Sequence, residues 1–176
     1  MLGESQSLRS TLLSRSMLRE GSLSSLPVKS LLTPRRADLA VKFRYFRHLS
    51  FGNDTDSERV YRWHIEARSG QRMKAGLNTD RWKRSVENYV RAAKALHKSI
   101  ARDGVQCAVP VDPNGELLDG SHRVACAVAL GIERITVERN TRMVWAPAWD
   151  ENWFVANGVS DHDLARIKAD CELMKQ

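Results

Sequence analysis

Residues 115–131 read Gly-Glu-Leu-Leu-Asp-Gly-Ser-His-Arg-Val-Ala-Cys-Ala-Val-Ala-Leu-Gly and admit few local folds. Leu117 and Leu118 end a strand, and Asp119–Arg123 makes a tight polar turn. An Ala-rich helix then runs from Ser121 to Leu130, with Gly131 as its cap. A helix entered through glycine exposes its first N–H groups. These lack intrahelical partners and carry the positive end of the helix dipole, so the bend suits a phosphate. A carboxylate, a hydroxyl, an imidazole and a guanidinium arrive at the same bend, which packing alone does not require.

The surrounding pattern changes character at Gly104. Before it the spacing is helical. Leu39, Phe43, Phe46 and Leu49 share a face of a helix over 36–49, and Gly52-Asn53-Asp54 breaks it. Thr55-Asp56-Ser57-Glu58 reads as a capping box for a second helix ending at Gly70. Asn78-Thr79-Asp80 offers caps for a third, with Trp82, Val86, Tyr89, Val90, Ala93, Leu96 and Ile100 on its apolar face. After Gly104 the chain reads strand (Val105–Val111), turn (Asp112-Pro113-Asn114-Gly115), return strand (Glu116–Leu118), helix, strand (Ile135–Val137). Asp150 caps a short helix, and Ser160 with Asp163 opens a last one carrying Leu164, Ile167 and Leu173. Trp145, Trp149, Trp153 and Phe154 anchor these closing helices on the core or stack on a base or sugar.

A chain of 176 residues suits one domain with a real core. No apolar run approaches the ~20 residues of a membrane span. The net charge of +7 is uneven: the basic excess lies in residues 1–103, and the remainder is net acidic. That balance fits an anionic partner, nucleic acid or nucleotide, as well as a solvated basic surface. Cys107, Cys126 and Cys171 form no C-x-x-C pair, so neither a zinc site nor a disulfide framework is indicated, and a reducing, cytoplasmic setting is expected. Residues 1–33, rich in Ser, Leu and Arg, read as a flexible tail or a targeting segment. Residues 34–104 then form a helical extension, and 105–176 a compact core with closing helices.

The segment Val109–Val137 resembles the ParB/sulfiredoxin superfamily. The likeness is carried by Leu117-Leu118-Asp119-Gly120-Ser121-His122-Arg123, with Ala125, Ala127, Ala129 and Gly131 behind it. It implies an α+β fold: a small mixed sheet with packed helices, here with an N-terminal helical extension. It also implies a turn that binds nucleotide phosphates. The superfamily includes DNA-partition ParB proteins (CTP), sulfiredoxins (ATP) and free-serine kinases (ATP or ADP). Sulfiredoxins have Gly-Gly-Cys-His-Arg with a nucleophilic Cys, where this chain has Ser121. ParB proteins have a Gly-Glu/His-Arg-Arg turn followed by a DNA-binding region, and the residues after Glu138 look short and acidic for that. The serine-kinase turn, Asp-Gly-His-His-Arg, differs from Asp119–Arg123 at one position.

A phosphotransferase must hold phosphates, offset charge and activate an oxygen nucleophile. Gly120, Ser121, His122 and Arg123 are the expected cofactor-binding residues, and Arg123 supplies a forked cation. Asp119 and His122 are the catalytic candidates, and Asp119 is also the expected ligand of Mg²⁺. Each has a structural alternative: Asp119 as a brace, Ser121 as an N-cap, His122 as a core imidazole, Arg123 as an ion-pair partner. The expected function is a nucleotide-dependent phosphotransferase acting on a small hydroxyl-bearing metabolite such as a sugar, polyol or amino acid, with ATP (or ADP or CTP) and Mg²⁺. The alternative is a nucleotide- or nucleic-acid-binding module without catalysis. Thinner candidates are Glu66 as an upstream base, Asp54-x-Asp56 as a metal pair, and Lys83-Arg84 with Arg91 as a basic patch. His48, His64, His97 and His162 show no metal spacing.

Overall fold

In Arg134–Arg139, Ile135 and Val137 are buried while Arg134 and Thr136 are exposed, the two-residue period of a strand covered on one face. The computed structural model describes residues 22–52, 54, 56–74, 84–141 and 148–176. Its elements run β1 (Ser22–Pro27), a 3-10 turn (Val28–Leu31), α1 (Asp38–Phe51), α2 (Asp56–Lys74), α3 (Val86–Asp103), β2 (Val109–Val111), α4 (Ser121–Ala129), β3 (Arg134–Arg139), α5 (Glu151–Ala156) and α6 (Asp161–Leu173). The described residues form an α+β domain with one three-stranded mixed sheet, ordered β1-β3-β2. β1 runs antiparallel to β3, Ser22 opposite Arg139 and Pro27 opposite Arg134. β2 runs parallel to β3, Val109 opposite Val137 and Val111 opposite Arg139. A parallel pair needs a crossover, and α4 lies in it.

Residues 22–33 depart from the expected loose tail. Ser22–Pro27 completes the sheet as an edge strand, and the Val28 amide donates to the Glu133 carbonyl at 2.8 Å. Pro27 sits at the strand's end, where its missing N–H breaks no ladder. The expected strand over 105–111 shrinks to Val109–Val111, because the carbonyls of Cys107 and Ala108 are taken by a side chain, Arg123. The return strand shrinks to one bridge, Val111 to Leu117. Asp112 stabilises the turn between them by accepting from the amides of Asn114 (2.9 Å) and Glu116 (2.7 Å).

α1 is the hub, packed against α2, α4 and α6. The expected one-sided stripe is too narrow. Leu39, Ala40, Val41, Phe43, Tyr45 and Phe46 are all buried, and so are Asp38 and Lys42. Tyr45 stacks on Tyr61 of α2 with ring centroids 4.4 Å apart. α2 runs past Gly70 to Lys74. α3 has the expected amphipathic face, with Tyr89, Val90, Ala93 and Ile100 buried. Its cap is Ser85, whose side chain accepts from the Asn88 amide. The proposed caps Asn78, Thr79 and Asp80, and Trp82, lie outside the described residues. Asp150 and Ser160 cap α5 and α6 as read from sequence. One hydrophobic core spans the helical extension and the sheet unit together.

Candidate phosphate-binding turn

Gly120 makes the turn. Its φ of 84° and ψ of 18° lie in the left-handed region, which costs an L side chain roughly 1–2 kcal/mol. Space closes as well: a Cβ there would meet Arg123 Nη2 at 2.9 Å and Val109 Cγ1 at 3.1 Å. The backbone therefore favours glycine, and a side chain there would also have to displace the Arg123 guanidinium. Gly120 contributes no side-chain cap to α4, so the helix opens without one. Facing the turn across a cavity of about 310 Å³ is α3, which contributes Tyr89, Ala92, Ala93 and Leu96 to the walls. Asp119, Gly120, Ser121, His122 and Arg123 line the other side. All five sequence-read residues thus meet at one concavity.

Their states differ. Asp119 is exposed, and among the described residues its carboxylate has no hydrogen-bond or ion-pair partner. Ser121 is 7 % exposed, and its hydroxyl lies 3.0 Å from Lys42 Nζ, which donates to it. His122 Nε2 lies 2.8 Å from the Tyr61 hydroxyl, and the imidazole stands edge-on to the rings of Tyr61 and Phe46. Burial pushes the Tyr61 phenol well above its ordinary range, so it keeps its proton. Arg123 reaches back: its Nη1 donates to the carbonyls of Cys107 (3.0 Å) and Ala108 (2.7 Å). Among the described residues it has no carboxylate partner, and part of its donor fork is spent on the strand entering the turn.

Behind Ser121 lies a charged cluster that sequence reading missed. Asp38, wholly buried, accepts from Arg36 Nε at 2.8 Å and from Lys42 Nζ. Arg36 also donates to the Leu117 carbonyl at 2.8 Å, so the cluster grips both sides of the turn. Burial opposes ionisation of Asp38, but Lys42 and Arg36 overcome it and hold the carboxyl well below the usual carboxylate range. Burial pulls Lys42 down, helped by Arg68 and Arg36 and opposed by Asp38, to about 7. The available signal was an acid and a base four apart, Asp38 and Lys42, set among Leu39, Ala40, Val41 and Phe43. Charges inside an apolar stretch must be paired.

The remaining candidates separate from the turn. Asp54 and Asp56 do not form a metal pair: Arg166 binds both, each at 2.8 Å. Among the described residues no three His, Cys, Asp or Glu side chains cluster as metal ligands. Glu66 is exposed on α2 and does not line the cavity. His48 accepts from the Asp54 amide at 3.2 Å, and His97 pairs with Ser50 at 2.8 Å. Arg84 and Arg91 are exposed, while Lys83 and Trp145 lie outside the described residues. Trp153 and Phe154 pack on Trp63 and His64, an anchoring role. Among the described residues no helix is long and apolar enough to cross a membrane. No family model matches the chain, and comparison with curated proteins and with solved structures likewise found no match.

Proposed function

We propose that the Asp119–Arg123 turn binds the phosphates of a nucleotide, and that the protein is a nucleotide-dependent phosphotransferase of ParB/sulfiredoxin type. Its acceptor is a small hydroxyl-bearing metabolite such as a sugar, polyol or amino acid. One observation carries the reading: an unpaired carboxylate, an uncapped helix start and an imidazole share a single cavity. The helix N–H groups and the Arg123 charge suit phosphate oxygens. Asp119 fits Mg²⁺ as a lone protein carboxylate, since that ion commonly takes one or two carboxylates beside substrate phosphates and water. When bound, the ion would offset charge on the transferring group. Asp119 or His122 would take the proton of the acceptor hydroxyl, and Tyr61 would keep the imidazole in one orientation. ATP, ADP and CTP are the nucleotides to try, and a cytoplasmic setting accompanies the reading.

The test is turnover. Protein supplied with each nucleotide, Mg²⁺ and a panel of sugars, polyols and amino acids should yield a phosphorylated acceptor. Asp119→Asn should lower kcat at least a hundredfold while nucleotide affinity changes little. Unchanged turnover in that variant would remove Asp119 from the mechanism.

A second reading, nucleotide or nucleic-acid binding without chemistry, is favoured by the engagement of Arg123 with two carbonyls. A cation held that way contributes charge but fewer free donors to a transition state. Nucleotide binding without product from any acceptor would select it. Steep salt dependence with DNA or RNA would select the nucleic-acid form.

A further inference from the structure

The cluster behind the turn holds more positive charge than it neutralises. Arg36 and Arg68 place Cζ 5.1 and 5.3 Å from the centroid of the Trp149 ring, and Lys42 Nζ lies 5.9 Å from it. Trp149 is fixed there by its amide, which donates to the Arg35 carbonyl at 2.9 Å. Three cations therefore gather about one indole, and Asp38 is the carboxylate among them. Asp38 is consumed by Arg36 and Lys42, and among the described residues Arg68 has no carboxylate partner. His64, one turn before Arg68 on α2, is wholly buried, and among the described residues neither ring nitrogen has a hydrogen-bond partner. An unsatisfied buried imidazole is costly, and a half-buried cation without a counter-charge adds to that cost. Packing alone would favour an apolar ring at position 64, which stands among Trp153 and Phe154. Arg68 and Trp149 are half-buried, so they give the cluster its approach from solvent.

We propose that Arg68 and His64, with the Arg36 and Lys42 charges behind them, form a second anion site beside Trp149 that takes the carboxylate or phosphate head of a small metabolite. Arg68 provides the unmatched charge, His64 a neutral donor, and Trp149 a flat wall. Lys42 joins this site to the nucleotide turn through Ser121. The anion site stands without the phosphotransfer reading, and rests on it only in making the bound metabolite the acceptor. That acceptor is then a hydroxy acid, an amino acid or a sugar phosphate, not a neutral sugar or polyol.

Calorimetry on the full chain tests this, with L-serine and glycerate as carboxylate probes, glycerol 3-phosphate as the phosphate probe and glycerol as the neutral one. At least one anion should bind without nucleotide, and glycerol should not. Arg68→Gln should weaken that binding tenfold or more while leaving nucleotide affinity unchanged. Gly120→Ala should do the reverse. Imidazole ¹⁵N resonances of His64 should move on adding the anion, which a purely structural histidine would not show, and His64→Phe should fold and bind the anion several-fold more weakly. Preference for the carboxylate or the phosphate probe identifies the head group. The proposal is overturned if no anion binds, or if Arg68→Gln leaves anion affinity unchanged. It survives a failure of nucleotide binding, so the two ideas fail separately.

Discussion

Gly120 and Lys42 let the turn be probed from its two sides. Gly120→Ala forces a Cβ into the left-handed region and against Arg123 and Val109. The backbone term alone is about 1–2 kcal/mol. The guanidinium can shift, but doing so endangers its bonds to Cys107 and Ala108. Urea unfolding should show a loss of about 2–3 kcal/mol, and a loss near zero would mean that the turn opens in solution. Lys42 makes a pH prediction whose sign is opposite to the usual ion-pair expectation. Its folded pKa is pulled from 10.5 to about 7. Between those values the unfolded chain holds more protons, so this residue's contribution to stability rises with pH and is lost as pH falls toward 7. Wild type should therefore gain stability from pH 7 to pH 9 relative to Lys42→Met. Parallel pH curves for the two proteins would show that Lys42 ionises like an exposed lysine. At pH 7 the variant should lose about 1–3 kcal/mol, below the cost of orphaning a charge, because Arg36 still holds Asp38.

The helices were legible where apolar spacing was regular and a cap was close by. The apolar face of α3 and its stop at Gly104 were found, though its start was read at Asn78–Asp80 and its cap is Ser85; α5 and α6 were found with their caps Asp150 and Ser160. α1 was found but misread as one-sided, since a helix buried nearly all round does not show a 3.6-residue stripe. β1 was missed because Ser22–Pro27 shows no apolar alternation. Only pairing with β3 makes it a strand, and no local rule encodes that. The packing of α6 makes a matched pair of predictions. Arg166 bridges Asp54 and Asp56, yet all three are partly exposed. Arg166→Ala should cost about 1 kcal/mol, and less at high salt. Ile167, 4 % exposed in the core, should cost about 2–5 kcal/mol as Ala, with no salt dependence. Salt titration of the two unfolding midpoints separates these terms. A larger, salt-sensitive loss for Arg166→Ala would make charge the main attachment of α6.

Viewed as one molecule, the protein uses α1 to carry information that its sequence motif lacks. Residues 119–123 were readable because glycine, a helix start and polar groups coincide over a few positions. Arg36, Asp38, Lys42, His64 and Arg68 were not readable as a group, because the chain separates them from Ser121 by more than fifty residues and only tertiary packing unites them. The same packing redirects Ser121 and Arg123 inward and leaves Asp119 facing the cavity. The proposed function depends on this cavity holding nucleotide phosphates. Titrating the protein with ATP, ADP and CTP in Mg²⁺, in a calorimeter, addresses it most directly. Saturable binding of at least one of them to a single site is expected, weakened tenfold or more in Gly120→Ala. No heat of binding from any of the three, or equal affinity in the variant, would contradict it.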